Sequence, residues 1–323
     1  MWAVIPAYIP SPSENGFHIG PLFVHAYGLA YVVAVTAAII LTVRRWEAIG
    51  GKRELVYDVA LWGFPAGVIG GRLYFLATSW NEMPPHWWGP FAIWDGGLGI
   101  WGGITLGVIV GLWRVRRAGA DIGKFMDAGA PGLLVAQACG RVGNYFNQEL
   151  FGKPSKLPWA LEISAAHRPV GYASFATFQP TFLYEIIWNL LLATALVRLG
   201  KRRSIKAPGL FALYVAGYSF ARMGEELLRI DPSHHIFGLR VNFFVATILC
   251  IVGLAWFVAL QRGWSWRGRG GGGASGGGAS GGGSQSGDDR RLEDGSQAPS
   301  RAGVADGDAP DVGVSEPGRV SRA

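Results

Sequence analysis

What the chain lacks narrows its chemistry first. It has two cysteines in 323 residues, Cys139 and Cys250. Both sit inside apolar runs, so no disulfide framework is available and both read as small buried side chains. Cys139 lies two residues from Arg141, but no base stands at a recognised spacing to make it a nucleophile. No Cys/His cluster has metal-ligand spacing, no Walker loop is present, and no Ser-His-Asp spacing is visible. Metal, nucleotide and acyl-serine mechanisms therefore have no support, and no cofactor is expected. His25, His86, His167, His234 and His235 are scattered and carry no assigned role. No internal repeat is evident, which speaks against a transporter built from inverted halves. The first apolar run has no basic segment ahead of it, so no cleavable signal peptide is expected.

Charge is also scarce, at 16% of residues against 50% hydrophobic, and the apolar residues gather into long runs. Leu22–Val43, Val56–Thr78, Ile93–Val115, Phe125–Phe146, Thr181–Val197, Gly209–Glu225 and Val241–Leu260 each approach the roughly 20 residues that cross hydrocarbon. The expected fold is all-α: a polytopic integral membrane protein with about seven transmembrane helices. Glycines such as Gly96, Gly97, Gly99, Gly102 and Gly103 weaken a helix in water yet permit close helix packing in lipid.

Lys and Arg favour cytoplasmic loops. Arg44, Arg45, Lys52 and Arg53 fill the first loop, Arg114, Arg116, Arg117 and Lys124 the third, and Arg198, Lys201, Arg202, Arg203 and Lys206 the fifth. Residues 1–21 and 79–92 have none, so the N-terminus is expected outside and the C-terminus in the cytoplasm. Trp46, Trp80, Trp87, Trp88, Trp94 and Trp256 fit interfacial belts. Residues 1–21 are expected to form an extracytoplasmic N-terminal segment, and 22–262 the seven-helix membrane domain. Within the latter, the polar stretch 147–179 makes a small extracytoplasmic head, and 263–323 reads as a disordered cytoplasmic Gly-rich tail. Residues 270–323 hold five Arg against eight acidic residues, so the formal +7 of the chain leaves +10 on the membrane part. Those cations flank spans and do not form a patch interleaved with aromatics, so no nucleic-acid partner is expected.

The residues suited to chemistry gather at the outer span ends. Arg141 closes an apolar stretch and is followed by Asn144, Asn147, Gln148, Glu149 and Gly152. A guanidinium there costs about 2.5–3.5 kcal/mol on insertion scales, and its planar fork suits phosphate. Tyr218, Arg222, Glu226 and Arg229 share one helical face, with Glu225 off that stripe as an interfacial charge. Pro180 opens the fifth span, with Tyr184 and Glu185 one turn inside, where a carboxylate neutralises an arginine or serves as a polar site residue. Tyr27 in the first span and Arg72 in the second add a phenol and another buried cation. Three arginines with carboxylates and tyrosines at the outer leaflet suit an acidic lipid headgroup.

In Gly140-Arg141-Val142-Gly143-Asn144, with Asn147, Glu149 and Gly152, the chain resembles prolipoprotein diacylglyceryl transferases. The likeness runs from Tyr27-Gly28 through Trp94-Asp95-Gly96-Gly97, Pro180–Glu185 and Tyr218–Arg229. It implies a bacterial cytoplasmic (inner) membrane enzyme that moves the diacylglyceryl group of phosphatidylglycerol to the lipobox cysteine thiol of a prolipoprotein signal peptide. A thioether forms and sn-glycerol 1-phosphate leaves, the first step of lipoprotein maturation. The nucleophile is then the substrate's own thiol. The resemblance implies catalytic roles for Arg141, Arg222, Glu149 and Glu226. Arg141, Asn144, Asn147, Gly152, Tyr27, Tyr184, Glu185, Tyr218, Arg72 and Arg229 would bind substrate. Trp101 stands where many family members carry a histidine suited to act as base, so a carboxylate such as Glu149 or Glu226, or Tyr27, is left for the thiol proton, or the arginines' field activates the thiol. The competing class is a non-enzymatic anionic-lipid transporter or scaffold, which also needs outward-facing arginines.

Overall fold

The computed structural model describes residues 8–83, 86–93, 96–231, 233 and 235–263. The tail beyond Gly263, residues 1–7 of the N-terminal segment, Trp94, Asp95 and His234 lie outside the described residues. The chain opens with an antiparallel hairpin, β1 (Gly16–Ile19) and β2 (Leu22–His25), and continues into α1 (Ala26–Glu47), α2 (Arg53–Thr78), α3 (Ile100–Arg117) and α4 (Ile122–Phe146). A pair of two-residue strands, β3 (Leu161–Glu162) and β4 (Thr177–Phe178), precedes α5 (Thr181–Arg202) and α6 (Gly209–Leu228). A last hairpin, β5 (His235–Ile236) and β6 (Leu239–Arg240), leads into α7 (Val241–Gln261).

The fold is mostly helical, and α1, α2, α5 and α7 are long and apolar enough to cross a membrane by length and composition. Burial is inverted relative to a protein that faces water. Leu61, Ile69, Leu191, Ile248 and Ile251 are exposed, while Glu185, Asn189, Glu226 and Arg240 are buried. This is a membrane protein: apolar side chains cover its flanks and polar groups turn inward.

Two expected helix starts move. The first run begins as a strand because Gly20, at φ 60°, followed by Pro21 makes a tight hairpin turn that pairs Ile19 with Leu22. The third helix starts at Ile100, not Ile93, because Gly96 and Gly97 sit at φ 89° and 75°, which no right-handed helix contains. Trp46 does not face outward. It is buried with Val43, Val56 and Ala128 under Phe125.

Helices α2 and α3 meet along glycines spaced four apart. A Cβ on Gly67 would lie 3.4 Å from the Gly103 carbonyl, and one on Gly107 3.3 Å from that of Gly63. Small residues let two backbones approach where lipid offers no hydrophobic drive between helices. At the centre α4 packs on α1, α5 and α6. Pro131 inside α4 has no N–H for the Asp127 carbonyl, and Arg45 of α1 donates its Nη2 to that oxygen at 3.2 Å. The Asp127 carboxylate in turn accepts from the Phe211 N–H at 2.8 Å, fixing the first turn of α6 against α4. That tie sets the depth at which the far ends of the two helices meet.

Candidate functional site

At that far end one buried carboxylate gathers three side chains. Glu185, in the second turn of α5 and 2% exposed, receives Arg141 Nε of α4 at 2.6 Å. Tyr218 of α6 donates to its other oxygen at 3.2 Å, and Arg222 Nη1 stands 3.4 Å away. A buried carboxylate is tolerated only with partners of this kind, since an unpaired one costs several kcal/mol (about 3–5 when one partner is removed). Arg222 also pairs with Glu225 at 2.7 Å and with Glu226. Glu225 is therefore no interfacial charge. It is 6% exposed and turned into the cluster, because position i+3 lies beside Arg222 on the helix surface as closely as i+4 does.

Glu226 forms the next layer. Its second oxygen accepts from Arg240 Nε at 2.6 Å, and Arg229 Nη1 lies 3.5 Å from the first. Arg229 then grips Asp231 with two parallel hydrogen bonds of 2.7 and 3.0 Å, and Arg240 adds bonds to the Asp231 carboxylate and carbonyl at 2.8 Å each. Arg240 and Asp231 were not singled out from sequence. Arg240 is the last residue before an apolar run, a position shared with many interfacial arginines.

A third group hangs from the end of α4. Asn144 accepts from Arg141 Nη1 at 3.1 Å and donates to Glu149 at 2.7 Å, with Asn147 reaching the same Glu149 oxygen at 3.4 Å. Gln148 and Leu150 flank Glu149 at φ 51° and 56°, a conformation that non-glycine residues adopt only when held. Gln148 is held: it donates to the Pro12 carbonyl and accepts from the Ser164 N–H. The reversal folds Glu149 back over the last turn of α4. Tyr27 packs against Gly143, where a Cβ would come within 2.2 Å of its ring.

Arg141, Asn144, Leu150, Thr181, Phe182, Glu185, Arg222, Glu225 and Arg229 line one cavity, of about 10 Å³, room for roughly one water molecule. Of the expected residues, Arg72, Tyr184 and Gly152 stand apart from the arginine–carboxylate network. Arg72 spends its guanidinium on the carbonyls of Gly89, Pro90, Gly96 and Gly97, pinning the loop between α2 and α3. Tyr184 faces the 147–179 segment, donating to Gln179 at 2.6 Å and accepting from Trp159 at 3.0 Å. Gly152 bridges backbone to backbone with Arg229, where a Cβ would press on Gln179 and the Leu228 carbonyl. Among the described residues no group of three His, Cys, Asp or Glu side chains is placed to hold a metal.

The model of the prolipoprotein diacylglyceryl transferase family matches residues 14–259. The chain belongs to that family. A phosphatidylglycerol–prolipoprotein diacylglyceryl transferase of Mycolicibacterium paratuberculosis is 45% identical over 278 residues, covering 80% of this chain and 64% of the relative. Transferases of the same name from Cutibacterium acnes and Streptomyces coelicolor are 45% and 46% identical, the matches covering 87% and 80% of their lengths and 79% and 76% of this chain. The chain thus spans less than two thirds of the mycobacterial relative. Within this diacylglyceryl transferase fold, the arginine–carboxylate cluster lies wholly inside the matched residues.

The ring of salt bridges beyond α6 carries a pH signature. Burial raises the Asp231 pKa, but the hydrogen bonds and charges of Arg229 and Arg240 outweigh it and hold the carboxyl below its usual range. A carboxyl depressed on folding adds stability that is complete above its unfolded pKa, about 4, and is lost as pH falls through the folded value. The melting temperature of Asp231→Asn in detergent is therefore expected to lie below that of the parent at pH 7. The gap should narrow below about pH 4; a gap constant to lower pH would show that Asp231 stays unpaired.

Proposed function

We propose that this chain is a phosphatidylglycerol–prolipoprotein diacylglyceryl transferase of the bacterial cytoplasmic membrane. It transfers diacylglyceryl from phosphatidylglycerol to the lipobox cysteine of a prolipoprotein signal peptide and releases sn-glycerol 1-phosphate. One observation carries the reading: in a chain of this family, arginines from two helices converge on a single buried carboxylate beside a cavity. All seven helices cross the bilayer in this reading, with the N-terminus and the 147–179 head outside and the 263–323 tail in the cytoplasm. The catalytic domain is 22–262.

Arg141 and Arg222 hold the headgroup phosphate. Among the described residues Arg141 Nη2 and Arg222 Nε make no hydrogen bond, so each guanidinium keeps a donor for an incoming oxygen. A cavity the size of one water does not admit a phosphate, so binding requires the arginines to trade part of their contact with Glu185 for the ligand. As the carbon–oxygen bond to phosphate breaks, charge grows on that oxygen, and preplaced guanidiniums stabilise it without reorganising. The attacking thiol, with an ordinary pKa near about 8.5, must lose its proton. Glu226 is a poor acceptor, since Arg222, Arg229 and Arg240 already occupy both its oxygens. Glu149, which accepts only from Asn144 and Asn147 and is exposed, is the proton acceptor. Glu226 instead orients Arg222, Tyr27 and Tyr218 border the headgroup, and Arg72, Tyr184 and Gly152 act by shaping the surrounding loops.

The test is direct. Purified protein with phosphatidylglycerol and a lipobox peptide is expected to yield a thioether-linked diacylglyceryl peptide and one glycerol 1-phosphate per product. No product beside an active relative would overturn the reading. Arg141→Ala is expected to lower kcat by about a hundredfold, the cost of one lost donor to the developing charge; undiminished turnover would remove Arg141 from the site.

A further inference from the structure

Glu225 is the residue whose surroundings the chemistry above does not use. It comes from α6, is buried, and faces the cavity between Arg141 of α4 and Arg222 of its own helix. Arg222 Nη1 bonds both Glu225, at 2.7 Å, and Glu185 of α5, at 3.4 Å, so one nitrogen draws two carboxyl groups side by side. Both carboxyl groups also line the same small cavity. Two buried carboxyl groups drawn to one guanidinium nitrogen repel each other as anions, which favours a proton on one of them. The division of neighbours decides where the proton sits. Glu185 takes Arg141 at 2.6 Å and Tyr218 at 3.2 Å in addition to Arg222, whereas Glu225 has Arg222 alone. Glu185 is the better-stabilised anion. The other charged group lining the cavity is Arg229, and among the described residues no histidine lines it.

We propose that Glu225 is a catalytic acid: it carries the proton shared with Glu185 and delivers it to the phosphate oxygen of the departing glycerol phosphate. The proposal rests on the transferase reading above. In the reaction the thiol sulfur bonds the diacylglyceryl carbon while the carbon–oxygen bond to phosphate breaks, leaving its electron pair on the phosphate oxygen. The thiol proton passes to Glu149, and the Glu225 proton passes to the new phosphate oxygen. Water then carries the proton of Glu149 back to the Glu185–Glu225 pair. Overall one proton has moved from thiol to phosphate, a monoanionic diester has become a monoanionic monoester, and the side chains are restored. Arg222 serves both parts, since the nitrogen that orients Glu225 belongs to the guanidinium that holds the phosphate.

Glu225→Gln keeps the shape and the contact with Arg222 but has no acidic proton to give. With phosphatidylglycerol and a lipobox peptide it is expected to lower kcat at pH 7 by about a hundredfold, within the range of general acid catalysis. KM for the lipid should change little, and the fall in kcat on the alkaline side of the parent's pH profile should disappear. Glu225→Asp should regain part of kcat and of that alkaline limb. A Gln variant with parental kcat and pH profile, or one whose loss lies only in KM, would overturn the acid role. Infrared spectra read the shared proton without turnover. The parent should show a protonated-carboxyl C=O band at pH 7 that shifts in heavy water and is absent in Glu225→Gln. If the parent makes no thioether product but shows the band, the transferase reading fails and the shared proton stands; if it makes product without the band, the proposal fails alone.

Discussion

Arg222→Ala is expected to lower the rate of transfer by about a thousandfold or more and to destabilise the protein as well. The first effect follows from the phosphate: one donor aimed at a developing oxyanion is worth about 10²–10³ in kcat, and Arg222 also orients Glu225. The second follows from counting its partners. Arg222 is the cation common to Glu185, Glu225 and Glu226, all buried, so its removal takes one cation from each of the anions Glu185 and Glu226 and leaves the protonated Glu225 without its hydrogen-bond partner. Breaking a buried ion pair costs about 3–5 kcal/mol because the orphaned charge stays buried. Arg222→Lys separates the two effects. A lysine keeps the charge but has no planar fork to span three carboxylates, so stability should return further than turnover. Thioether product formation and melting in detergent measure the two. An alanine variant that melts like the parent and turns over within tenfold of it would show that the three carboxylates find other partners and that phosphate binds elsewhere.

Much of this site was legible because charge in an apolar run has few explanations. Arg141, Glu185 and Arg222 each stand inside or at the end of a hydrophobic run, and the structure brings all three into contact. The helical stripe from Tyr218 to Arg229 was legible from period alone, yet the same period argument left Glu225 aside. Helical neighbours lie at both i+3 and i+4, and a stripe drawn through one hides the other. Arg72 is engaged differently from what its place in the run suggests. A buried arginine needs acceptors, but backbone carbonyls serve as well as a ligand does, and the loop that supplies them is shaped by two glycines at positive φ. Arg240 was invisible because it meets Glu226 and Asp231 only through the turn of β5 and β6, which no helical stripe encodes, and Asp231 because it lies past the end of α6. Helix ends shifted wherever a glycine turn competed with an apolar run, at Gly20 and at Gly96-Gly97.

Glu226→Ala is expected to be the most destabilising single change in the cluster. Three guanidiniums, those of Arg222, Arg229 and Arg240, use its two oxygens, and the carboxylate side chain is fully buried. Truncation leaves Arg240, only 6% exposed, with Asp231 alone, and it cuts the tie that joins the start of α7 to the end of α6. The loss should be about 3–5 kcal/mol in melting or denaturant experiments in detergent. Turnover should fall with it, because Arg222 loses the partner that sets its angle. Asp231→Asn should cost much less at neutral pH, since Asp231 is partly open to solvent and exposed pairs contribute little, about 0–1 kcal/mol. A double-mutant cycle decides whether the pair or each charge matters. If Glu226 and Arg240 act as a unit, adding Arg240→Leu to Glu226→Ala removes an orphaned cation, and the double variant should be more stable than the sum of the single losses by about 0.5–3 kcal/mol. Strict additivity would mean that Arg240 finds its stabilisation from Asp231 alone, and the tie between α6 and α7 would then run through the loop and not through Glu226.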